Sequence, residues 1–540
     1  MKKNKFKLLF ISIICLIFFG IARDSEAKNL YVNNSGSPAC LDSTTYANNN
    51  ASNPWCTIGR AAWGSTNKAT PNTSEAAQAG DFVLVSAGTY LTTGTDIRYE
   101  PALNPVNSGS VENPITFQAE GIVTIQPDVY ISGSVQSATA GTITLDSSAS
   151  DVDDFYKGWY IRITAGTGAG QSRFISLLQI PGQEHITTGS YNGTTRTAQL
   201  QNEWDIIPDE SSTYQLTKPG PLIGTNGRDY IVWDGFRIVE NDSYHPDTGS
   251  VVVWDSDYVT IKNLEIIGTN LPVLFDNHNA IRVEYSNYIL VKNNKIHGLR
   301  STLIEGTGNP QNEAAIMIYS SNNGIFENNE IYDIHNGFFP KGGDGTNGGH
   351  IFRYNKIHDA YKAIRISYHS NVQIYQNIIY NADIAMQPAE SISNISFYNN
   401  TIYNGSSGGY NWYAFSGINF YNNIFSTVTN PFNLEGGAGA FTSNYNFFHS
   451  YNSFINGGSG NLNWWQSNSG LDLNSSEGNP GFINPSGNDF HLASDSPAKI
   501  AGQGGEIAGA YINDFKCIGL ESECDMDDIS PANPSGLNVQ

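Results

Sequence analysis

Phe397-Tyr398-Asn399-Asn400-Thr401-Ile402 is followed, one repeat later, by Phe420-Tyr421-Asn422-Asn423-Ile424-Phe425. Working outward from this pair, the same pattern occurs at Val291-Lys292-Asn293-Asn294-Lys295-Ile296, Phe326–Ile331, Phe352–Ile357 and Ile374–Ile379, and it ends in Asn446-Phe447-Phe448. More degenerate copies lie earlier, at Val232–Ile238 and Ile261–Ile266. The equivalent asparagines are Asn294, Asn329, Asn355, Asn377, Asn400, Asn423 and Asn446, separated by 35, 26, 22, 23, 23 and 23 residues.

A period near 22 with short apolar strands is one coil of a stacked solenoid, and it predicts an all-β chain folded as a right-handed parallel β-helix. Each coil must bend where it passes from one sheet to the next, and Asn tolerates the left-handed backbone such bends require. Asn amides stacked at one corner can hydrogen-bond along the column. The longer spacings mark segments that leave the stack, Arg300–Gln311 and Lys341–His350. Such projections are where a rigid scaffold builds a ligand groove.

Met1–Ala27 combines a basic start with the apolar run Leu8–Ala22, which reads as a secretory signal peptide. The protein is therefore expected to be secreted or on the cell surface, with no stable membrane span. Four cysteines remain beyond it, in two local pairs. Disulfides Cys40–Cys56 and Cys517–Cys524 are expected, with zinc the competing reading. The net charge of −22 loses five basic and two acidic residues with the signal, which brings it to −25. Such a surface repels nucleic acid. A monomer is expected.

The chain divides into residues 28–129 (N-terminal cap and first coils), 130–218 (an inserted small β module), 219–512 (the main β-helix) and 513–540 (a tail with two cysteines). Residues 29–90 resemble the N-terminal region of many secreted β-helix proteins, through Leu30-Tyr31-Val32-Asn33 and Ala79–Tyr90. That resemblance implies a strand and a short helix capping the open end. Residues 130–218 resemble a small β module that recurs in phage-related and surface proteins. Asn479–Asn484 and Asp489–Ala498 resemble the closing segment of secreted β-helix proteins. Gly166–Gly170 reads as a turn, because no Lys-Ser/Thr follows it as a phosphate cradle needs.

The strands before each ladder Asn align as Ala280–Tyr285, Ala315–Ser320, Gly337–Gly342, Ala363–Tyr368 and Ala385–Glu390. Alternation sends Arg282, Met317, Phe339, Arg365 and Gln387 outward in one column. Glu284, Tyr319, Lys341, Ser367 and Ala389 form a second column beside it. Phe339-Pro340-Lys341-Gly342-Gly343 with Ala363-Ile364-Arg365-Ile366-Ser367 resembles the polysaccharide lyases of the alginate and chondroitin (dermatan) type. What the resemblance implies is β-elimination on an acidic glycan, with Lys341 as base and Arg365 assisting. A Tyr or His must protonate the leaving oxygen, which nominates Tyr319, Tyr368 and His369. Arg282, Glu284, Tyr368 and Trp412 would contact substrate. Calcium is open as a cofactor, although the family's ligand positions fall here on Ile334 and Asn336, with Glu313 and Asp333 nearby. Three other readings stand beside the lyase: a solubilising role for the two cations, a surface adhesin or glycan-binding protein, and a neutral-glycan hydrolase with Glu284 or Asp333 as acids. His297, Tyr332, His358, Tyr380 and Tyr403 are expected to form a side-chain stack, and Trp464 and Trp465 to stack on sugars or on the C-terminal cap.

Overall fold

The structure is a computed structural model. It describes residues 27–511 and 518–520, except 96–98, 176–189, 241–247, 270–276, 301–311, 344–345, 411–416, 435–440, 456–457, 459 and 512–517. Residues 1–26 of the expected signal segment, Trp412, Cys517 and Cys524 lie outside the described residues.

Parallel strands pair coil to coil in register from Asn29–Val32 to Ser476–Glu477, and the fold is the right-handed parallel β-helix. Three sheets make its faces. The site sheet carries Gly249–Trp254, Asn279–Glu284, Ala314–Tyr319 and the second half of Glu330–Lys341. A second sheet carries Thr260–Lys262, Leu290–Lys292, Ile325–Glu327 and Ile351–Arg353. The third carries Glu265–Ile267, Lys295–Leu299 and the first half of Glu330–Lys341. From Glu330 onward the third and site sheets share continuous strands, such as Lys356–Ile366 and Ile378–Pro388. In the three coils before that, longer connections separate Val239 from Gly249, Ile267 from Asn279 and Leu299 from Ala314. The site lies at this corner.

The interior holds Trp233, Phe326, Phe338, Phe352 and Phe397, all fully buried. Like residues fall over like because the register is exact from coil to coil; Phe326 and Phe352 stack at 4.9 Å. The Asn column is continuous. Each amide donates to the next Asn carbonyl oxygen at 2.9–3.1 Å, from Asn294 through Asn446. The left-handed residue is not the ladder Asn, as the sequence suggested, but the one before it: Asn293, Asn328, Tyr354, Gln376, Asn399 and Asn422 have φ of 51–59°. The bend is made there, so the next side chain turns inward and can join the column. On the third sheet His297, Tyr332, His358 and Tyr380 stack at 4.6–4.9 Å with rings within 12° of parallel.

Both ends are covered, as exposed apolar coils require. Helix Ile58–Trp63, capped by Thr57, sits at the N-terminal end with Trp55 and Arg60. Cys40 and Cys56 are joined by a disulfide. Breaking it with Cys40→Ser is expected to cost about 3 kcal/mol by the loop-entropy argument. Limited proteolysis should show the cleavage confined to the cap. At the other end helix Leu462–Ser469 lays Trp465 against Phe454 at 5.2 Å, so Trp465 is cap rather than sugar platform. Residues 480–511 return along the third sheet, where Phe490 meets Tyr380 and Tyr403.

Strands between Val129 and Thr217 form a separate antiparallel seven-stranded sheet around Trp159, Tyr156, Ile161 and Tyr214. The helix closes over this excursion, because Ile115–Pro127 pairs directly with Ile231–Val239.

Candidate active site

Strand register places Arg282 beside Met317, Met317 beside Phe339, and Phe339 in the coil before Arg365. Two positions on, Glu284, Tyr319 and Lys341 align in the same way. Neighbouring coils are ~4.8 Å apart. Lys341 and Arg365 therefore sit on adjacent coils, diagonally rather than in one column. They meet on one ring: the Lys341 ammonium lies 5.7 Å and the Arg365 guanidinium 4.4 Å from the centre of Phe339. Tyr319 stands beside Lys341, and its ring rests on Gly342, where any Cβ would come within 2.4 Å of it.

The outward face here is largely covered. Phe339, Met317 and Ala314 form a small apolar cluster of their own. Lys341 and Arg365 keep partial exposure, and Lys341 donates to Asn312 Oδ1 at 2.7 Å. Asn312 is held in turn, its carbonyl accepting from Asn279 Nδ2 at 3.0 Å.

Behind this segment lies a buried triad. His278 Nε2 meets Glu240 at 2.8 Å, and its Nδ1 meets Glu313 at 3.2 Å. Burial pushes the His278 pKa down, but the two carboxylates outweigh it and raise it to about 10. The ring is thus a cation clamped between two anions. His335 is the opposite case. Burial, followed by the fields of Lys362, Arg365 and Arg300, lowers its pKa to about 3, so it is a neutral imidazole amid cations. Among the described residues its buried Nε2 has no hydrogen-bond partner.

The other nominated residues divide. Arg282 and Glu284 are buried and bonded to each other at 2.7 Å, so Glu284 presents no carboxylate to a substrate. Arg282 also lies 5.7 Å from the Tyr319 ring. Tyr368 takes the left-handed bend position at the edge of the site sheet, which Tyr285 and Ser320 hold in earlier coils. His369 does not join Lys341. It lies inside the coil against His350, fully buried, with Nδ1 on the Ser367 carbonyl, and burial lowers its pKa to about 4. It is a core residue and reaches no substrate on the outer face. Asn312, His278, His335 and Lys362 were missed from sequence. The first two lie at the end of non-repeating connections, and His335 and Lys362 on the corner where strands become continuous.

The residues do not fit calcium at the positions the resemblance suggested. Ile334 is buried hydrocarbon, Asn336 gives its amide N–H to the Glu313 carbonyl, and the Glu313 carboxylate is held by His278. Among the described residues no group of three or more His, Cys, Asp or Glu is arranged as a metal site. No described helix is long and apolar enough to cross a membrane.

Fold and repeat define a right-handed parallel β-helix protein, and residues 226–342 match the family model described as the right handed beta helix region. No curated protein matches the sequence. Among solved structures the chain is similar to XylC in complex with xylose (TM-score 0.49, 13% identity, 84% of this chain and 87% of that one). It is also similar to a PL6 family polysaccharide lyase from Pseudopedobacter saltans (0.41, 12%, 82% and 98%). A third similar structure is PfbA, a surface adhesin of Streptococcus pneumoniae (0.37, 11%, 68% and 77%). Likeness at this level is one of architecture and carries nothing about activity.

Proposed function

We propose that this chain is an exported, carbohydrate-active protein that cleaves an acidic polysaccharide by β-elimination at the Phe339 face. The observation that carries the reading is local charge. In a chain of net charge −22, Lys341 and Arg365 flank one ring, while Lys362 and Arg300 bear on His335 beside them. A locally basic face attracts a polyanion that the rest of the surface repels.

The chemistry then divides among these residues. Removing the proton next to a uronate carboxylate needs that carboxylate neutralised, and Arg365 is the group to pair with it. Lys341, the other cation on that ring, takes the proton. The electron pair forms the double bond as the glycosidic C–O bond breaks. Tyr319, on the adjacent coil, gives the leaving oxygen its proton. The hydrolase reading is left with Asp333 alone, because Glu284 is buried and paired.

The test is absorbance at about 235 nm, where unsaturated uronates absorb, with alginate, pectate and chondroitin sulfate as substrates. Lys341→Ala should abolish product formation, a loss of at least ~10²-fold for a removed general base. No product from any of the three polymers sinks the lyase reading, and retained binding would then make the protein a glycan-binding one.

A further inference from the structure

Two kinds of aromatic row run along this molecule, and they differ in what their ring faces do. Tyr230, Tyr258 and Tyr288 occupy one bend position in successive coils, 4.8 and 4.9 Å apart and within 5° of parallel. Tyr258 has a neighbour on both faces and so offers only its edge. The row leading to Lys341 is built otherwise. Tyr99 lies 4.9 Å from Trp254, Trp254 lies 5.2 Å from Tyr285, and Tyr285 lies 6.5 Å from Tyr319, with interplanar angles of 34°, 79° and 78°. Trp254 and Tyr319 stand in the strand column that ends on Lys341, Tyr285 on the bend position beside it, and Tyr99 comes from outside the coil. These rings are tilted rather than stacked in parallel, and Trp254 and Tyr319 are partly exposed. Tyr99 and Tyr285 are 42% and 49% exposed, whereas residues of the neighbouring column, Arg282 and Met317, are buried.

We infer that Tyr99, Trp254 and Tyr285 form successive sugar-stacking subsites leading to Tyr319 and Lys341, so that a polyuronate lies along the helix axis from the N-terminal cap to Lys341. The inference rests on the acidic-glycan reading above and gives that site its direction and length. Three observations select the occupant. The rings are amphipathic, each with a flat apolar face and, on the tyrosines, a hydroxyl, which suits a pyranose better than an aliphatic partner. Coils repeat at ~4.8 Å, close to the advance of one pyranose unit along an extended chain. The row is continuous with the cationic pair, since Tyr319 neighbours Lys341 in register and rests on Gly342. The strip thus accepts about three sugars on one side of the cleavage point.

The experiment uses the full chain with Trp254→Ala, Tyr285→Ala and, as a matched control, Tyr258→Ala, which removes an equally exposed tyrosine from the same kind of bend. Binding is measured by affinity electrophoresis through alginate, pectate and chondroitin sulfate. It is then measured by titration with a hexasaccharide and a disaccharide of whichever polymer retards the wild type. Trp254→Ala and Tyr285→Ala should each weaken hexasaccharide binding about tenfold. Neither should alter disaccharide binding, and Tyr258→Ala should behave as wild type. Equal binding of the hexasaccharide by all four proteins overturns the row while leaving the acidic-glycan reading in place. Equal weakening for both lengths also overturns it. A wild type that no polymer retards ends both readings together. Absence of the 235 nm product alongside the chain-length effect removes β-elimination and upholds the row.

Discussion

Asn377→Leu is expected to leave the β-helix barely folded or unfolded at room temperature, although the side chains differ little in size. Asn377 is fully buried in the middle of the ladder. Its Oδ1 accepts from the backbone N–H of Asn355 at 2.9 Å and from the Asn355 amide at 3.0 Å. Its own amide donates to Phe352 O, Tyr375 O and Asn400 Oδ1 at 2.9–3.1 Å. Leucine removes all of these at once and supplies no partner. Each buried group left unsatisfied costs ~1–3 kcal/mol, and the Asn355 backbone N–H is orphaned outright, while the Asn355 amide keeps the Phe326 and Arg353 carbonyls. With the Phe352 and Tyr375 carbonyls losing their amide donor as well, the loss is a large part of a domain's stability of about 5–15 kcal/mol. Coils couple only to their neighbours, so a lesion in the middle divides the stack rather than fraying one end. Asn419→Ala is the comparison, since Asn419 only accepts from Thr442 at the surface and should change stability by less than about 0.5 kcal/mol. Chemical denaturation followed by circular dichroism reads both. Similar midpoints for the two variants would show that the ladder contributes little.

The same residues explain why so much of the fold was legible. A solenoid repeats one environment, so Asn294 to Asn446 and the Ile, Val and Phe around them are chosen by one constraint applied many times. The register that aligned Arg282, Met317, Phe339 and Arg365 followed from counting alone. What counting cannot give is the conformation of a single residue, and the left-handed bend proved to belong to the residue before each ladder Asn. Nor does alternation tell what covers an outward side chain, which is why Phe339 and Met317 are buried on the outside of the coil and Glu284 is sealed by Arg282. His369 is nominated by the sequence as a proton donor only through its residue type. It follows a bend at Tyr368, and the bend turns it inward. The triad Glu240, His278 and Glu313 left no periodic trace, since its members are 38 and 35 residues apart across non-repeating connections. Only their convergence at one corner reveals them.

That corner carries the second large effect. His278→Leu is expected to destabilise the protein by about 3–5 kcal/mol near neutral pH, because it removes the cation from between two buried carboxylates and leaves their charge uncompensated. The pH dependence separates this from simple loss of packing. The folded-state pKa of His278 is raised to about 10 from an ordinary 6.5. Its contribution is therefore present in full below pH 6.5 and is lost as pH rises towards about 10, since the unfolded chain gives up the proton first. The wild type should lose stability over that interval, and the His278→Leu variant should lack this alkaline loss. Activity should respond as well, without any contact between His278 and substrate. The clamp fixes Glu313, whose carbonyl takes the Asn336 amide, and the adjacent Asn312, whose Oδ1 takes the Lys341 ammonium at 2.7 Å. Losing it lets the lysine's acceptor move, so kcat should fall more than KM in a preparation still folded at low denaturant. Denaturation midpoints for both proteins at pH 6.5 and at about pH 10 decide the matter. Parallel alkaline losses in wild type and variant would mean that His278 is not the cation that holds this corner.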